Sequence, residues 1–521
     1  MSRIALGCQR AWGEPLLDAA LDAGVDTFDT ARAYGESERE LGRFLRSRGV
    51  SVRVVTKGGM AGGWRPDGRA RALREDLDAS LEALGGVPID TYLVHAPDPN
   101  MPWPTTMRAL AKIRDDGLVK RIGVCNVTRK QLDEALDIAP IEVVQIALGA
   151  GSDVALRGGV VARCIARGIE VMAHSPLGGP KKAPKLGRDA VLGAIARRHD
   201  CSPQDVVIAA LLDLHPSIVP VVGATRPETI RASARAASIT LGEEDRAALD
   251  ARFGFRDMLS PRLPSPTGAE VVLLMGLQGS GKSTRAAEYV ARGYERLNRD
   301  ERGGTLRGLH GELGARLARG AKTLVLDNTY VTRAQRHDVI AAAHAHGAIV
   351  RGVWTDVSLE DAQRNVIERM LAVHGRLLEP REMERMKDPS ALPPHVLFHT
   401  LRVMDAPSDD EGFASLDVVR FTRTAAATRD TAMRFHVGWR PNATDAWVAE
   451  MRSNAEKHGA QFVYCAHDGG PPRCWCRPPL PGLLLAFAAA HDVDLARSVV
   501  TGSSTVHRKM AAGVGARFEE I

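Results

Sequence analysis

The sequence predicts a mixed α/β protein in which a (β/α)8 barrel is followed by a parallel α/β sheet and then by a smaller α/β module. Three observations lead to this prediction: repeated strand–helix units in the first half, a glycine-rich phosphate loop after residue 275, and a cysteine–histidine cluster near the C-terminal end. The chain has 521 residues, which is too long for one ordinary domain. We predict a barrel over residues 1–253, a linker over 254–269, a second domain over 270–423 and a third module over 424–521.

Composition and charge narrow the function classes without selecting one. The net charge is +6 and the isoelectric point is near 9.0, which permits a polyanionic partner but does not establish one. The chain has no run of about 18 apolar residues, so we predict no membrane span. The start of the chain lacks a charged-then-apolar signal segment, and we therefore expect a cytoplasmic protein. The oligomeric state stays open.

The first half alternates short apolar strands with amphipathic helices. The predicted buried strands are Val25–Asp29, Val52–Thr56, Thr91–His95, Ile122–Cys125, Val143–Ile146 and Glu170–Ala173. Helical patterns such as Arg69–Leu84 and Thr105–Asp116 lie between them. Strand–helix units repeated over about 250 residues predict a closed parallel barrel.

Four polar residues stand at or just after predicted strand ends, and they are Asp29, Tyr34, Lys57 and His95. The chemistry of such barrels resides at the C-terminal face, so we expect these side chains to share one site. The arrangement resembles the aldo-keto reductases over nearly all of residues 1–253. The resemblance implies that Tyr34 protonates a carbonyl oxygen as hydride arrives and that His95 orients the carbonyl. It also implies that Asp29 holds Lys57, whose charge lowers the tyrosine pKa.

The same resemblance implies an NADP(H) site. Asn126 and Gln145 occupy the positions that bind the nicotinamide amide, and Ser175 lies at the next strand end. His174 stands where an aromatic residue usually stacks on the nicotinamide, and Arg226 suits the adenosine 2′-phosphate. The choice between NADPH and NADH stays open, and so does the substrate aldehyde.

A phosphate loop of the pattern G-x-x-x-x-G-K-[ST] begins the second domain, after a Pro- and Ser-rich segment that predicts a linker. A strand, Val271–Met275, precedes the loop, and a helical pattern, Thr284–Arg292, follows it. The residues that we expect to bind ATP are Gly276, Gly279, Ser280, Gly281, Lys282, Ser283 and Thr284. Lys282 would reach the β- and γ-phosphates, and the Ser283 hydroxyl would hold Mg²⁺.

Two further motifs follow predicted strands of the same domain, Asn298-Arg299-Asp300 and Asp327-Asn328-Thr329. Ligands of open parallel sheets bind beyond the carboxyl ends of the strands, so both motifs should face the phosphate loop. These residues resemble the kinase domain of the polynucleotide kinase-phosphatases over roughly residues 270–423. The resemblance implies that Asp300 is the general base for a 5′-hydroxyl and that Arg364 and Arg369 belong to a lid that stabilises the transferring phosphoryl group. The implied partner is a nucleic-acid 5′-hydroxyl end, and the choice between RNA and DNA stays open.

The third module contains a candidate metal site. Cys465, His467, Cys474 and Cys476 offer four ligands on one loop, a set that suits tetrahedral Zn²⁺. The segment resembles the zinc-loop phosphatases of the haloacid dehalogenase superfamily. Their Asp-x-Asp nucleophile motif has no counterpart between residues 424 and 462, and their Mg²⁺-binding aspartates are missing from the segment Gly502–His507. We therefore predict that this module has no phosphatase activity.

Three functional hypotheses remain at this point. The preferred one is a 5′-hydroxyl polynucleotide kinase of nucleic-acid repair, joined to an NADP(H)-dependent reductase barrel that would act on an aldehyde. The second is a bifunctional metabolic enzyme that reduces a small aldehyde and phosphorylates a small alcohol. In the third, the barrel serves only as a scaffold.

Overall fold

Parallel strands alternate with helices along most of the chain, so the carboxyl ends of neighbouring strands meet at one edge of each sheet. The computed structural model describes residues 3–10, 13–386, 388–423, 429–468 and 473–521. These residues form two units, Met1–Arg262 and Leu263–Ile521, which are described separately below. Within the described segments, every helix is too short or too polar to cross a lipid bilayer.

The first unit is a closed parallel barrel. Its strands are β1 (Ala5–Gly7), β2 (Thr27–Asp29), β3 (Arg53–Gly58), β4 (Met60–Ala61), β5 (Arg65–Pro66), β6 (Thr91–Val94), β7 (Arg121–Cys125), β8 (Val143–Ala147), β9 (Glu170–His174) and β10 (Ile218–Val222). The barrel closes in the order β1-β2-β3-β6-β7-β8-β9-β10, while β4 and β5 form a small antiparallel hairpin. The predicted (β/α)8 barrel is confirmed.

Helices surround this barrel. They are α1 (Glu14–Asp22), α2 (Ser37–Arg48), α3 (Ala70–Leu84), α4 (Trp103–Asp115), α5 (Arg129–Leu136), α6 (Val154–Arg157), α7 (Val160–Ala166), α8 (Ala190–Arg198), α9 (Pro203–Leu214), α10 (Pro227–Ala236), α11 (Glu243–Phe253) and α12 (Phe255–Leu259). One face of each strand packs against the helices, and the other fills the barrel interior. The interior cluster consists of Ala5, Val55, Leu93, Cys125, Val143, Met172 and Val221. The barrel is therefore a packed core, and its chemistry must lie at the strand ends.

The predicted linker requires a correction at its N-terminal end. Phe255–Leu259 forms a helix, α12, and the Phe255 side chain is buried and stacks on Phe253 with ring centroids 5.2 Å apart. Met258 and Leu259 pack against the same barrel core. Because the apolar side chains of this short segment are buried against the barrel, the segment folds as a helix despite the prolines that follow it. The barrel unit therefore continues to Arg262.

The second unit contains two parallel sheets. The first has the order β12-β13-β11-β14-β15, built from β11 (Glu270–Gly276), β12 (Glu295–Leu297), β13 (Thr323–Asp327), β14 (Ile349–Asp356) and β15 (Ser415–Arg420). The second has the order β17-β16-β18-β19, built from β16 (Arg434–Trp439), β17 (Gln461–Cys465), β18 (Val499–Gly502) and β19 (Arg517–Glu520). The helices are α13 (Lys282–Ala291), α14 (Arg299–Arg302), α15 (Leu306–Ala318), α16 (Arg333–His344), α17 (Leu359–His374), α18 (Pro380–Arg385), α19 (Pro394–Val403), α20 (Asp445–Lys457), α21 (Gly482–His491) and α22 (Thr505–Val514).

Helix α17 packs into the same hydrophobic core as the C-terminal sheet. Residues of α17, among them Val366 and Met370, are buried with Trp475 and Leu484 of the C-terminal module, and Leu277 of the phosphate loop belongs to the same cluster. The predicted boundary at residue 423 therefore separates two sheets, whereas α17, which precedes the boundary, belongs to the core of the C-terminal sheet. The C-terminal module covers the apolar face of α17.

Candidate active sites

Asp29 and Lys57 form a buried ion pair at the C-terminal ends of β2 and β3. The Lys57 Nζ donates to both carboxylate oxygens of Asp29, at 2.8 and 2.9 Å, and to the Thr30 carbonyl oxygen at 2.7 Å. The ammonium group also lies 5.0 Å from the ring centroid of Tyr34. Because β2 and β3 are paired neighbours, residues 28 positions apart in sequence meet at one point of the barrel rim.

Burial dominates the ionisation of Tyr34. Desolvation raises the Tyr34 pKa, and the charge of Lys57 acts in the opposite direction without reversing the shift. The resemblance implied that the charge of Lys57 lowers the tyrosine pKa, and Lys57 acts in that direction here, but burial outweighs it and the net shift is upward. The consequence is that Tyr34 stays protonated at neutral pH, which is the form that a proton donor needs.

His95 completes the four residues that the sequence pattern places together. Its ring centroid lies 5.8 Å from that of Tyr34. Burial, and then the charges of Lys57 and His174, lower the His95 pKa to about 3, so the imidazole is neutral. Its Nδ1 is buried and has no hydrogen-bond partner among the described residues. A neutral imidazole beside a protonated tyrosine can hold a carbonyl group without competing for its proton.

Trp64 is a site residue that the sequence analysis missed. It lies between the hairpin strands β4 and β5, and its ring centroid is 5.7 Å from that of His95 and 6.1 Å from that of Tyr34. Its backbone φ is +60°, an uncommon value for a bulky residue, and 54% of its surface is exposed. No spacing rule predicts it, because only the fold of the hairpin brings it over the other two rings.

The residues expected to bind the nicotinamide lie at the same rim but have different surroundings. Asn126 and His174 are hydrogen-bonded, with 3.1 Å between Oδ1 and Nε2, and the His174 Nδ1 lies 3.2 Å from the Ser175 hydroxyl. Gln145 is buried, and its side-chain amide donates to Asp29 at 2.7 Å, while its role toward the nicotinamide stays a prediction. Arg226 is exposed at the start of α10, where it is free to meet an anionic group.

The phosphate loop lies between β11 and α13, as its pattern predicts. Gly276 and Gly279 have φ values of +143° and +79°. A Cβ at Gly276 would lie 2.3 Å from the Thr355 hydroxyl, and one at Gly279 would lie 2.6 Å from the Ala362 carbonyl oxygen, so a side chain fits at neither position. The Ser280 hydroxyl is buried and lies 2.5 Å from the Thr355 hydroxyl. Gly281 immediately precedes α13, and the side chains of Ser283 and Thr284 are exposed in its first turn.

Lys282 points back across the phosphate loop. Its Nζ donates to the carbonyl oxygens of Gly276 at 2.9 Å and of Leu277 at 2.6 Å. Burial, with the nearby charge of Arg369, lowers the Lys282 pKa to about 8, although Asp327 and Asp300 act in the opposite direction. The loop therefore holds a cation that a phosphate group would stabilise in its charged form.

The lowered Lys282 pKa predicts a pH-dependent affinity for ATP. Phosphate oxygens favour the protonated lysine, so binding above about pH 8 must take up one proton. We expect the dissociation constant to rise by about tenfold per unit between pH 8 and 10, as the free lysine loses its charge. Calorimetric titration with ATP in two buffers of different ionisation enthalpy measures both the affinity and the proton uptake.

The matched control is Lys282→Arg, which stays charged over this range and should bind ATP with no such pH dependence. A wild-type dissociation constant that stays flat up to pH 10, with no proton uptake, would contradict the assignment.

Asp300 stands beside the phosphate loop on the short helix α14. Asn298 caps this helix, because its side-chain oxygen accepts from the Asp300 backbone N–H at 2.7 Å, and its amide donates to the Asp327 carbonyl oxygen at 2.6 Å. Asn328 accepts from the Arg299 N–H at 2.8 Å. The two predicted motifs are therefore interlocked across β12 and β13. The Asp300 carboxylate is 48% exposed and contacts the Arg299 guanidinium at 3.0 Å, so a substrate can reach it.

The two predicted lid arginines on α17 differ. Burial lowers the pKa of Arg369, and Asp388 and Asp300 oppose that shift, so its guanidinium acts electrostatically on the same site as Lys282 and Asp300. Arg364 instead pairs with Glu368 on its own helix at 2.6 Å. Arg369 is therefore the better candidate for contact with a transferring phosphoryl group.

A hydrogen-bond relay ties the lid helix to the phosphate loop, and sequence analysis missed it. Asn365 on α17 donates to the Gly279 carbonyl oxygen at 2.7 Å. Arg423 donates to the Asn365 side-chain oxygen at 2.7 Å and also contacts Asp361 and Glu368 of the same helix, at 3.1 and 3.0 Å. Arg423 lies 58 residues after Asn365, so no local pattern could connect them.

The cysteine–histidine cluster has the geometry of a metal site. The ligand atoms of Cys465, His467, Cys474 and Cys476 all lie within 4.8 Å of one another. The Cys465 sulfur lies 3.6 Å from that of Cys474 and 3.4 Å from that of Cys476. Tetrahedral zinc with Zn–S bonds of about 2.3 Å separates its sulfurs by about 3.8 Å, so these residues fit Zn²⁺ closely. Since all four positions are taken by protein ligands, bound zinc would hold the loop together and leave no position for a substrate.

An aromatic–cation pair stands at the C-terminal end of β16. Trp439 ends β16, and the Arg477 guanidinium lies 4.4 Å from its ring centroid. The indole N–H donates to the His467 carbonyl oxygen at 3.0 Å. A tryptophan–arginine pair thus occupies the end of β16, and the absence of phosphatase activity from this module stays a prediction.

Comparisons with known proteins match the two halves of the chain to two different families. The aldo/keto reductase family model matches residues 10–252, and a model described as an AAA domain matches residues 271–407. The aldo-keto reductase str7 of Strobilurus tenacellus is 29% identical over 296 residues, which cover 48% of this chain and 87% of that protein. Probable aldo-keto reductase 1 of Glycine max is 25% identical over 289 residues, covering 47% and 83%.

A solved structure of a thermostable aldo-keto reductase with the inhibitor epalrestat is 26% identical and covers 48% of this chain and 95% of that one, with a TM-score of 0.43. The family matches, together with the sites described above, lead to one conclusion: the chain joins an N-terminal aldo-keto reductase domain to a P-loop, kinase-like AAA domain.

Proposed function

We propose that the P-loop domain is an ATP-dependent kinase that phosphorylates 5′-hydroxyl ends of nucleic acid. The observation that carries this proposal is the convergence of Lys282, Arg369 and Asp300, whose charges act on one another at the carboxyl ends of β11 and β12. Two cations that can bind phosphate oxygens and one accessible carboxylate that can accept a proton are what transfer of a phosphoryl group to an alcohol requires.

The residues divide the reaction between them. The phosphate loop and Lys282 would hold the β- and γ-phosphates, and the exposed Ser283 hydroxyl would hold Mg²⁺. Bound Mg²⁺ supplies charge neutralisation on those phosphates. Asp300 accepts the proton of the attacking hydroxyl, and the Arg369 guanidinium stabilises the charge on the phosphoryl group in transit.

The barrel supports a second activity, an NADP(H)-dependent reduction of an aldehyde. The observation that favours it is the buried Asp29–Lys57 pair beneath Tyr34, with neutral His95 beside it. Bound NADPH supplies the hydride. Tyr34 donates a proton to the carbonyl oxygen, and His95 donates a hydrogen bond that orients that oxygen. The joining of the two domains suggests an aldehyde on a damaged nucleic-acid end, such as an opened abasic sugar.

The test compares acceptors under one set of conditions. Transfer of labelled γ-phosphate from ATP is measured with 5′-hydroxyl RNA and DNA oligonucleotides, with 5′-phosphorylated controls and with small sugar alcohols. We expect the label only on 5′-hydroxyl oligonucleotides. Transfer to sugar alcohols but not to oligonucleotides would reject the polynucleotide kinase and support a bifunctional metabolic enzyme.

NADPH consumption with small aldehydes and with an abasic oligonucleotide tests the barrel in parallel. Oxidation of NADPH by any of these aldehydes supports the reductase, and turnover of the abasic oligonucleotide supports the repair substrate. A barrel that binds no NADPH would instead be a scaffold.

A further inference from the structure

The C-terminal module contacts a short segment that lies next to the kinase site. This segment, residues 388–393, joins the lid region to α19 and is called the lid loop below. Trp475, between two of the clustered cysteines, is 1% exposed and donates its indole N–H to the Leu392 carbonyl oxygen at 2.7 Å. A buried indole whose single donor is used in this way fixes both the ring and the carbonyl that it binds.

A second contact from the same cluster supports this connection. The His467 Nε2 lies 2.6 Å from the Glu379 carboxylate, which stands at the start of α18, while its Nδ1 faces the cysteine sulfurs. A carboxylate on the outer nitrogen of a metal-ligating histidine orients the ring and strengthens it as a ligand. The cysteine–histidine loop therefore contacts the segment between α17 and α19 at two points.

The other side of the lid loop binds the lid helix. The Arg369 guanidinium donates to the Pro389 carbonyl oxygen at 2.6 Å, and the His374 Nε2 lies 2.8 Å from the Ser390 hydroxyl. Arg369 is thus held three residues away from the carbonyl that Trp475 binds. Leu277 of the phosphate loop, Met370 and Trp475 belong to one buried cluster, so the contacts are part of a continuous core.

We propose that Trp475 is a positioning residue of the kinase: it holds the lid loop, and the lid loop holds Arg369 at the phosphoryl group. The inference rests on the proposed function of the kinase site and assigns a role to the phosphatase-like module, which supports that site. A guanidinium that acts on a transition state must be placed closely, because a displacement of about 1 Å can cost about 100-fold in rate. The effect should therefore appear in kcat more than in the binding of ATP.

The test replaces one indole in the full chain and compares it with a matched control. Trp475→Phe keeps an aromatic ring but removes the donor to Leu392. Trp447→Phe makes the same change in the same module, on α20, where the ring packs against Phe462. We expect Trp475→Phe to lower kcat for phosphoryl transfer by about 10-fold while the KM for ATP changes by less than about twofold. Trp447→Phe should change neither.

Amide hydrogen exchange gives a readout that needs no acceptor. Trp475→Phe should speed exchange across residues 388–393, and Glu379→Gln, a change at an exposed side chain that does not endanger folding, should speed it as well. Unchanged exchange in both variants, or a kcat equal to that of the wild type, would overturn the inference. A wild-type protein that phosphorylates no oligonucleotide would reject the proposed function instead, and the exchange comparison would still decide whether Trp475 holds the lid loop.

Discussion

Replacing Asp300 with asparagine is expected to lower kcat for transfer to a 5′-hydroxyl by about 10²- to 10⁴-fold. Asparagine keeps the size of the side chain but cannot accept the proton of the attacking hydroxyl. The KM for ATP should change little, because the phosphate loop and Lys282 remain in place. Folding should also be preserved, since Asp300 is half exposed and its backbone N–H still binds Asn298. Initial rates of labelled phosphate transfer at saturating ATP measure the effect.

The matched control is Glu301→Gln, which removes the neighbouring carboxylate of the same short helix. Glu301 pairs with Arg296 and is not assigned to the reaction, so its loss should leave kcat within about threefold of wild type. An Asp300→Asn variant that also stays within this range would show that another group accepts the proton, and the kinase mechanism would have to be revised.

Replacing Tyr34 with phenylalanine is expected to lower the rate of aldehyde reduction by about 10²- to 10⁴-fold, with NADPH binding retained. Phenylalanine preserves the packing against Trp64 and His95 but has no proton to donate. Single-turnover oxidation of NADPH, followed by absorbance, measures the rate. Tyr92→Phe is the control, because the Tyr92 hydroxyl donates to the Leu73 carbonyl oxygen on the helix side of the barrel and should affect stability alone.

The reaction's pH profile follows from the same site. Reduction requires protonated Tyr34, and burial raises the pKa of that tyrosine, so the rate should fall only above about pH 10. His95, with a pKa lowered to about 3, should contribute no ionisation between about pH 5 and 9. A rate that changes with a midpoint near neutral pH in wild type, but not in His95→Asn, would contradict the neutral imidazole.

Much of both sites could be predicted because parallel strands bring their carboxyl ends together. Once strands are read from the apolar pattern, residues just after them must converge, and so Asp29, Lys57 and His95 were expected to meet although they are far apart in the chain. The phosphate loop was predictable for a different reason. Its glycines and its lysine are adjacent in sequence, so the loop's conformation and its ligand are both set locally.

The features that were missed depend on burial or on contacts between distant segments. The direction of the Tyr34 pKa is decided by desolvation, which no residue pattern measures. Trp64 joins its site through a hairpin fold, and Arg423 binds α17 from 58 residues away. The formation of α12 within the predicted linker depends on the burial of Phe255 against the barrel core.

The sequence by itself determined the barrel, the phosphate loop, the cysteine–histidine ligand set and the strand-end residues, because periodicity and local spacing specify them. Only the tertiary structure decided that the C-terminal module shares its core with the lid helix and contacts the lid loop through Trp475 and His467. The physical reason is that the apolar pattern of a helix predicts that one face is buried but does not specify which segment covers that face. That choice is made by shape and by paired donors and acceptors, which exist only once the chain has folded.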